Sequence, residues 1–222
     1  MKKIFVIAAH MDDEVLGCGG AILRHVDQGD LVKVCFVAHR VYDHKFDEQK
    51  NEIEESHARD ASKLLGYSEI EFLRLNDERL DCCLQDIIIP LEKSIYQFQP
   101  DLLYTPFRGD NNQDHRAVFD AMRVVIRPSA TPYLKEVLMY ETPSSTEQSP
   151  PLIENLFAPN FYINISDFIE AKLQALKCYK TEDRPAPHPR SQGGIEVLAK
   201  KRGTEIGYLY AEAFMILRKK WS

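Results

Sequence analysis

The sequence predicts one α/β domain of 222 residues, Rossmann-like, with a mostly parallel sheet and helices on both faces. Its length is typical of a single domain. Hydrophobic residues make up 44% and charged residues 28%, as in folded soluble proteins. Short apolar runs alternate with longer amphipathic stretches over the first 141 residues, which is the pattern of repeated βα units.

The elements of this first part follow one another in regular order. Apolar runs predict strands at 3–9, 32–38, 70–75, 102–105 and 136–141. Helical spacing of apolar residues predicts helices at 13–28, 47–65, 84–98 and 113–126. Because a helix separates most consecutive strands, right-handed crossovers would make the strands parallel and cover both faces of the sheet.

The pattern changes after residue 141. Segment 142–151 is polar and proline-rich, and segment 181–194 contains three prolines and two glycines. Between them a strand is predicted at 161–165 and a helix at 166–180, capped by Ser166. We expect this final third to wrap over the site edge of the sheet, with the two irregular loops available to line a site.

Composition excludes several classes of protein. The net charge of −6 and pI near 5.7 argue against a nucleic acid partner, which usually requires a basic surface. The longest apolar run, 4–9, is far shorter than the roughly 20 residues of a membrane span. Five cysteines without CxxC spacing fit neither a disulfide framework nor a thiolate zinc site, so we expect a soluble protein of the reducing cytoplasm. The sequence leaves open whether the chain forms a homo-oligomer.

Polar residues that can carry chemistry follow two of the predicted strands. His10 and three acids, Asp12, Asp13 and Glu14, follow the first strand. The segment 107–116, rich in Asp, Asn and His, follows the fourth. In an open parallel sheet, ligands bind beyond the carboxyl ends of the strands, so both segments are expected at one edge.

The residue types in these segments suggest a metal site. Asp12 and Asp13 could cap the following helix, but adjacent carboxylates repel unless a cation or several donors face them. His115 lies in the first turn of a helix, where the helix dipole disfavours a positively charged imidazolium. The neutral imidazole that is favoured there is the form that binds a metal. Two histidines and a carboxylate are typical of catalytic zinc. His10, Asp13 and His115 form the natural trio, which leaves Asp12 as a general base.

Three segments also resemble a known family. The run from Ala8 to Glu14, with glycines at 17, 19 and 20, resembles the AHPDDE signature of the PIG-L/LmbE-like zinc-dependent N-deacetylases, the N-acetylglucosaminyl deacetylases. Segment 112–116 resembles their second motif, and 202–214 their closing segment. The resemblance spans essentially the whole chain. It implies an enzyme that hydrolyses the N-acetyl group of a small-molecule amino sugar.

The resemblance also implies roles for individual residues. His10, Asp13 and His115 match the ligands of one Zn²⁺ per chain, and Asp12 matches the acid that activates water. Arg59 resembles an arginine that holds substrate, although a surface pair with a helix neighbour is an equal alternative.

Asp77, after the third strand, is at the ligand edge by position alone. It could accept a hydrogen bond from a sugar hydroxyl or serve a turn.

Two residues depart from the family pattern. Met11 replaces a proline that mainly shapes the turn. Asn112 stands where several members carry a histidine that stabilises the oxyanion, and an amide donates a hydrogen bond but cannot act as a general acid. His188, flanked by two prolines in segment 184–191, is the candidate to take over that role, with an exposed loop histidine as the alternative.

Other functions fit the sequence less well. The glycines begin inside the expected helix and not directly after the strand, so they predict close packing and not a dinucleotide-binding loop. A phosphoryl-transfer enzyme could hold magnesium through Asp12 and Asp13, but histidine ligands favour zinc. A non-catalytic sugar- or nucleotide-binding module is the remaining alternative.

Overall fold

A computed structural model describes residues 1–42 and 44–221. The strands are β1 (Lys3–Ala8), β2 (Leu31–His39), β3 (Val41–Tyr42), β4 (Lys45–Phe46), β5 (Glu69–Asn76), β6 (Leu102–Pro106), β7 (Glu136–Tyr140), β8 (Phe161–Asn164) and β9 (Ala211–Lys219). Within the described residues, seven of these strands form one sheet in the order β5-β2-β1-β6-β7-β9-β8. The α-helices are α1 (Asp13–Asp27), α2 (Glu48–Leu65), α3 (Leu84–Phe98), α4 (Gln113–Val125), α5 (Ile169–Leu176) and α6 (Gln192–Thr204). Short 3₁₀-helices lie at Thr146–Gln148 and Ile153–Asn155, and β3 and β4 form a separate antiparallel hairpin.

The predicted parallel α/β fold is confirmed. Strands β5, β2, β1, β6 and β7 pair in parallel. β1 is buried on both faces, as its continuous apolar run requires. Its side chains alternate between two cores, one shared with α1, α2, α5 and α6 and the other with α3 and α4.

The final third does more than cover the sheet edge. Strand β8 was predicted, but β9 was not, and β9 pairs antiparallel with both β7 and β8 to complete the sheet. The helix predicted at 166–180 begins only at Ile169, so the expected Ser166 cap is wrong. Ser166 Oγ instead donates to Asn164 Oδ1 at 2.7 Å, which closes the turn after β8. Helix α6 was also not predicted.

Two glycines of α1 allow the helix to pack directly on the sheet. A Cβ at Gly17 would lie 2.2 Å from Cδ2 of the buried Tyr140 ring, and one at Gly20 would lie 2.4 Å from Ile165 Cγ2. Tyr140 is fixed in turn, because its hydroxyl donates to Ile7 O at 2.8 Å. The expected packing role of these glycines is confirmed. It sets the start of α1 against the carboxyl ends of the strands.

The described residues also bear on membrane association. Within residues 1–42 and 44–221, no helix combines the length and apolar character required to cross a bilayer.

Filling the close contact between Gly20 of α1 and Ile165 should destabilise the fold. We expect Gly20→Ala to lower the free energy of unfolding by about 1–3 kcal/mol, because the added methyl overpacks the contact with Ile165. The measurement is urea denaturation. Gly193→Ala in α6 is the matched control, since a Cβ there meets nothing within 4 Å and alanine favours the helix. Equal stability of Gly20→Ala and wild type would contradict the close approach.

Candidate active site

The turn between β1 and α1 places Asp12 in an unusual backbone conformation. Asp12 occupies the N-cap position of α1 with φ 144°, and its side chain makes no capping hydrogen bond. Such backbone conformations cost on the order of 1–3 kcal/mol for a non-glycine residue and concentrate at functional sites. The capping alternative for Asp12 is therefore wrong. Its carboxylate instead lines a cavity at the edge of the sheet.

The three consecutive acids have three different environments. Asp12 lines the cavity, whereas Asp13 Oδ2 accepts from the backbone N–H of His10 at 2.9 Å. Glu14 is fully buried on the core side of α1, where its Oε1 accepts from the Tyr179 hydroxyl at 2.6 Å. Burial raises the pKa of Glu14 to about 8.

Three side chains converge at the start of α1, as the sequence predicts. Asp13 Oδ2 lies 3.5 Å from His10 Nδ1 and 3.2 Å from His115 Nε2, and the two ring nitrogens are 3.3 Å apart. Tetrahedral zinc with ligands at about 2.0–2.1 Å places neighbouring ligand atoms roughly 3.3 Å apart. These three residues could therefore hold a metal ion with little rearrangement.

A carboxylate lies beside the second ring nitrogen of each histidine. His10 Nε2 is 3.1 Å from Asp114 Oδ2, and His115 Nδ1 is 3.2 Å from Asp110 Oδ1. Such carboxylates fix the tautomer that directs the other nitrogen to a metal. The segment containing both aspartates stands out in the sequence, but its pattern assigns neither of them this role.

Asp110 is itself held in place by several donors. It accepts hydrogen bonds from the hydroxyls of Ser145 and Thr146 and from the backbone N–H of Asn112. Both hydroxyls belong to the polar segment 142–151. That segment therefore supports the orientation of His115 through Asp110.

The electrostatics of the trio suit a cation. Burial lowers the pKa of His10, but Asp114 and Asp13 more than compensate and raise it to about 10. His115 behaves alike, with Asp13 and Asp110 raising its pKa to about 9 against burial. Burial raises the pKa of Asp13, but His115 and His10 outweigh it and hold that pKa well below its usual range. Asp13 Oδ1 is buried without a hydrogen-bond partner among the described residues.

The cavity beside the trio has a volume of about 170 Å³ and a strongly polar lining. Asp12, with 1% of its surface exposed, lies on its wall, and its Oδ2 accepts from Arg190 Nη1 at 2.8 Å. Burial raises the pKa of Asp12 to about 6, although Arg190 opposes the shift. The lining consists of His10, Met11, Asp12, Ala38, Arg40, Glu54, Asp77, Asn112, Glu182 and Arg190.

Two further predicted residues lie at the cavity. Asn112 Oδ1 caps α4 by accepting from the Asp114 N–H at 2.8 Å, so its Nδ2 is the group available to a ligand. Asp77 accepts from the Val41 N–H at 2.7 Å, and burial raises its pKa.

The other two predicted residues are not among those that line the cavity. The Arg59 side chain is 52% exposed, lies 3.4 Å from Glu55 and stacks over Phe72, as the surface-pair alternative describes. His188 Nδ1 accepts from the backbone N–H of Arg190 at 3.1 Å.

Four charged residues of the cavity were not predicted from the sequence. Arg40 follows β2, Glu54 belongs to α2, and Glu182 and Arg190 come from the proline-rich loop 181–191. Arg40 and Glu182 form an ion pair across the cavity wall. The loop itself was identified, but nothing in its composition indicated which side chain enters the site.

Comparison with known proteins identifies the family. Residues 5–126 match the model of the family described as PIG-L, GlcNAc-PI de-N-acetylase. The chain belongs to this family. The matched region runs from β1 to the end of α4 and includes the trio and Asp12. Membership makes this PIG-L protein a hydrolytic N-deacetylase.

Individual relatives agree with this assignment. The chain is 32% identical over 186 residues to the "Uncharacterized deacetylase YaiS" of Escherichia coli strain K12, covering 81% of this chain and 91% of that protein. The N,N'-diacetylchitobiose deacetylase of Pyrococcus horikoshii shares the fold with a TM-score of 0.78 at 23% identity, over 98% of this chain and 84% of that chain.

The fold alone does not specify the reaction. GalB, the 4-carboxy-2-hydroxymuconate hydratase of Pseudomonas putida KT2440, matches with a TM-score of 0.76 at 21% identity, over 100% of this chain and 98% of that chain.

The raised pKa values of His10 and His115 make the stability of metal-free protein depend on pH. Both pKa values exceed the unfolded value of 6.5. The two protonated imidazoles therefore contribute fully to the free energy of unfolding below about pH 6.5, and this contribution is lost as pH rises through 9 and 10. We expect the free energy of unfolding of metal-stripped protein to fall between about pH 7 and 10, as measured by urea denaturation with a chelator present.

The variant His115→Ala is the control for this pH dependence. Its slope should be shallower by up to about 1.4 kcal/mol per pH unit, the value for one proton. The buried Glu14 contributes a fall of the same sign in both proteins, so the comparison isolates the histidine. An unchanged slope would contradict the raised pKa of His115.

Proposed function

We propose that this chain is a zinc-dependent hydrolase that removes the N-acetyl group from an amino sugar, either a GlcNAc-like unit or a conjugate of one. The observation that carries the proposal is the trio with a separate acid beside it. Three ligand atoms lie 3.2–3.5 Å apart, and the carboxylate of Asp12 faces the adjoining cavity.

The donor chemistry favours zinc as the metal. Two imidazole nitrogens and one carboxylate oxygen match the ligand set of catalytic zinc, whereas magnesium prefers oxygen ligands. His10, Asp13 and His115 would hold one zinc ion per chain. When bound, such an ion supplies a Lewis acid that activates water and polarises the amide carbonyl.

Asp12 is the residue we assign to proton transfer. Its carboxylate accepts the proton of the attacking water and returns it to the amide nitrogen, so that acetate and the free amine leave. A pKa of about 6 suits both steps near neutral pH. The geometry favours Asp12 over His188 as the acid, because His188 is not among the residues that line the cavity.

Asn112 is the neutral donor we assign to the developing oxyanion. Its Oδ1 is committed to the cap of α4, which leaves Nδ2 to donate to the carbonyl oxygen as negative charge accumulates there. A donor of this kind typically stabilises the transition state by about 3–4 kcal/mol.

The cavity supports a sugar as the substrate. Carboxylates of Glu54 and Asp77 can accept hydrogen bonds from hydroxyl groups, and Arg40 can donate. Of the two predicted substrate-binding residues, the geometry supports Asp77 and not Arg59. The cavity volume of about 170 Å³ lies below the range of about 300–1,000 Å³ for drug-sized ligands. A cavity of this size suits one monosaccharide unit. The family description and the chitobiose deacetylase both concern N-acetylglucosamine units.

Activity is tested by acetate release from a panel of N-acetylated amino sugars and their conjugates, using zinc-loaded protein. We expect equal amounts of acetate and free amine from at least one member. A non-catalytic sugar-binding module would bind a panel member without releasing either product.

Asp12→Asn should separate metal binding from hydrolysis. We expect it to keep bound zinc and to lose turnover by on the order of 10²- to 10⁴-fold, because the amide cannot accept the proton. Asp86→Asn, at an exposed carboxylate in the first turn of α3, is the control and should retain the wild-type rate. Near-normal turnover of Asp12→Asn would remove Asp12 from the role of base.

His115→Ala should remove most of the metal. Loss of one of three protein ligands leaves two, and elemental analysis should show well below one zinc per chain. His25→Ala is the control, because His25 lies in α1 but contacts Asp30 and Tyr104 and is not part of the trio. Undiminished zinc in His115→Ala would refute the ligand assignment.

A further inference from the structure

Arg190 reaches the active site from the C-terminal loop and contacts the side chain assigned as the base. We propose that Arg190 is a positioning residue for Asp12, holding Oδ2 so that Oδ1 is the oxygen presented to the water. The proposal rests on the function proposed above. It assigns a role in the reaction to a residue outside the three motifs that resemble the family.

The contact between the two side chains is short, and both side chains are largely buried. Arg190 Nη1 donates to Asp12 Oδ2 at 2.8 Å, and the side chains are 17% and 2% exposed. A buried carboxylate needs a partner, and Asp12 has neither the capping bond of a helix start nor an open surface. Charge-assisted hydrogen bonds of this kind are short and directional.

Arg190 is itself held by neighbouring segments. Its Nε donates to Ser144 Oγ at 2.6 Å and to Pro143 O at 3.3 Å. Its Nη1 is 3.6 Å from Glu182 Oε2, and its backbone N–H donates to His188 Nδ1. The contacts of Nε and Nη1 fix the plane of the guanidinium. A planar group so fixed sets the orientation of its carboxylate partner, which the point charge of a lysine does not.

The backbone at Asp12 explains why such a partner is needed. With φ 144°, the Asp12 side chain is turned away from the helix amides that would ordinarily fix an aspartate at this position. Orientation must therefore come from elsewhere in the chain. The loop 181–191 provides it across a separation of 178 residues.

The same loop contains a matched control for this contact. Arg184 Nη2 pairs with Glu182 Oε2 at 3.3 Å, in the same way that Arg190 approaches that carboxylate, but Arg184 is not among the residues that line the cavity. A loss of activity confined to Arg190 variants would therefore not be explained by loosening of the loop at Glu182.

Kinetics of zinc-loaded variants test the positioning role. We expect Arg190→Met to lower kcat on the order of 10- to 100-fold with KM within about twofold, because a displaced base slows the reaction more than binding. The kcat of Arg190→Lys should lie between those of Arg190→Met and wild type. Added guanidinium ion should partly restore the kcat of Arg190→Ala. The kcat of Arg184→Met should equal that of wild type. A raised KM with unchanged kcat would overturn positioning and make Arg190 a substrate-binding residue.

A second measurement uses metal-free protein and does not depend on activity. We expect Arg190→Met to lower the midpoint of thermal unfolding clearly more in the wild-type background than in the Asp12→Asn background. The reason is that the carboxylate charge that Arg190 compensates is absent from Asp12→Asn. Equal shifts in both backgrounds would overturn the contact. If wild type releases no acetate from any substrate, the proposed function fails. The comparison of unfolding midpoints still decides whether Arg190 holds Asp12.

Discussion

The structure brings four carboxylates together at one edge of the sheet, and their mutual repulsion is the constraint on which the site depends. Asp12 and Asp13 follow β1, and Asp110 and Asp114 flank the start of α4. All four are buried. Buried like charges of this density require cations or hydrogen-bond donors. His10 and His115 lie among them, which is why burial fails to lower the pKa values of these imidazoles.

The same balance separates the roles of two adjacent acids. Asp13 lies between both imidazoles, and its pKa is held low, as a ligand oxygen requires. Asp12 faces a cavity and an arginine, and its pKa is raised to about 6. One peptide unit therefore separates a carboxylate suited to metal binding from one suited to proton transfer. The strained turn after β1 makes this divergence possible.

The last third of the chain holds α1 in the position that the site requires. Glu212 of β9 accepts from the backbone N–H groups of Gly20 and Ala21 at 2.8 and 2.7 Å, and it pairs with Lys172 of α5. Lys172 Nζ donates to Leu16 O at 2.9 Å. A buried ion pair thus bonds to the backbone in the middle of α1. The closing segment that resembles the family serves the packing of the helix whose first turn carries Asp13.

The sequence by itself determined the parallel half of the fold and the trio. Strands and helices up to residue 141 follow from local periodicity, and parallel strands align their carboxyl ends whatever the details of packing. That rule places His10 and Asp13 at the same edge as His115, and the pairing of β1 with β6 makes them neighbours. The apolar run 213–217 of β9 stands at the end of the chain, outside the regular alternation of strands and helices, and α6 has two glycines in its first turn, which weaken its helical signal.

Only the tertiary structure decided which other side chains enter the site. Arg59 and Glu54 belong to the same helix, yet Glu54 lines the cavity and Arg59 stacks on the outer side over Phe72. Arg190 reaches Asp12 and His188 does not, although only Pro189 lies between these two residues in a loop without periodic pattern. Local sequence specifies the conformation of short segments. The docking of a loop on a distant carboxylate depends on contacts between residues far apart in the chain, which no local pattern records.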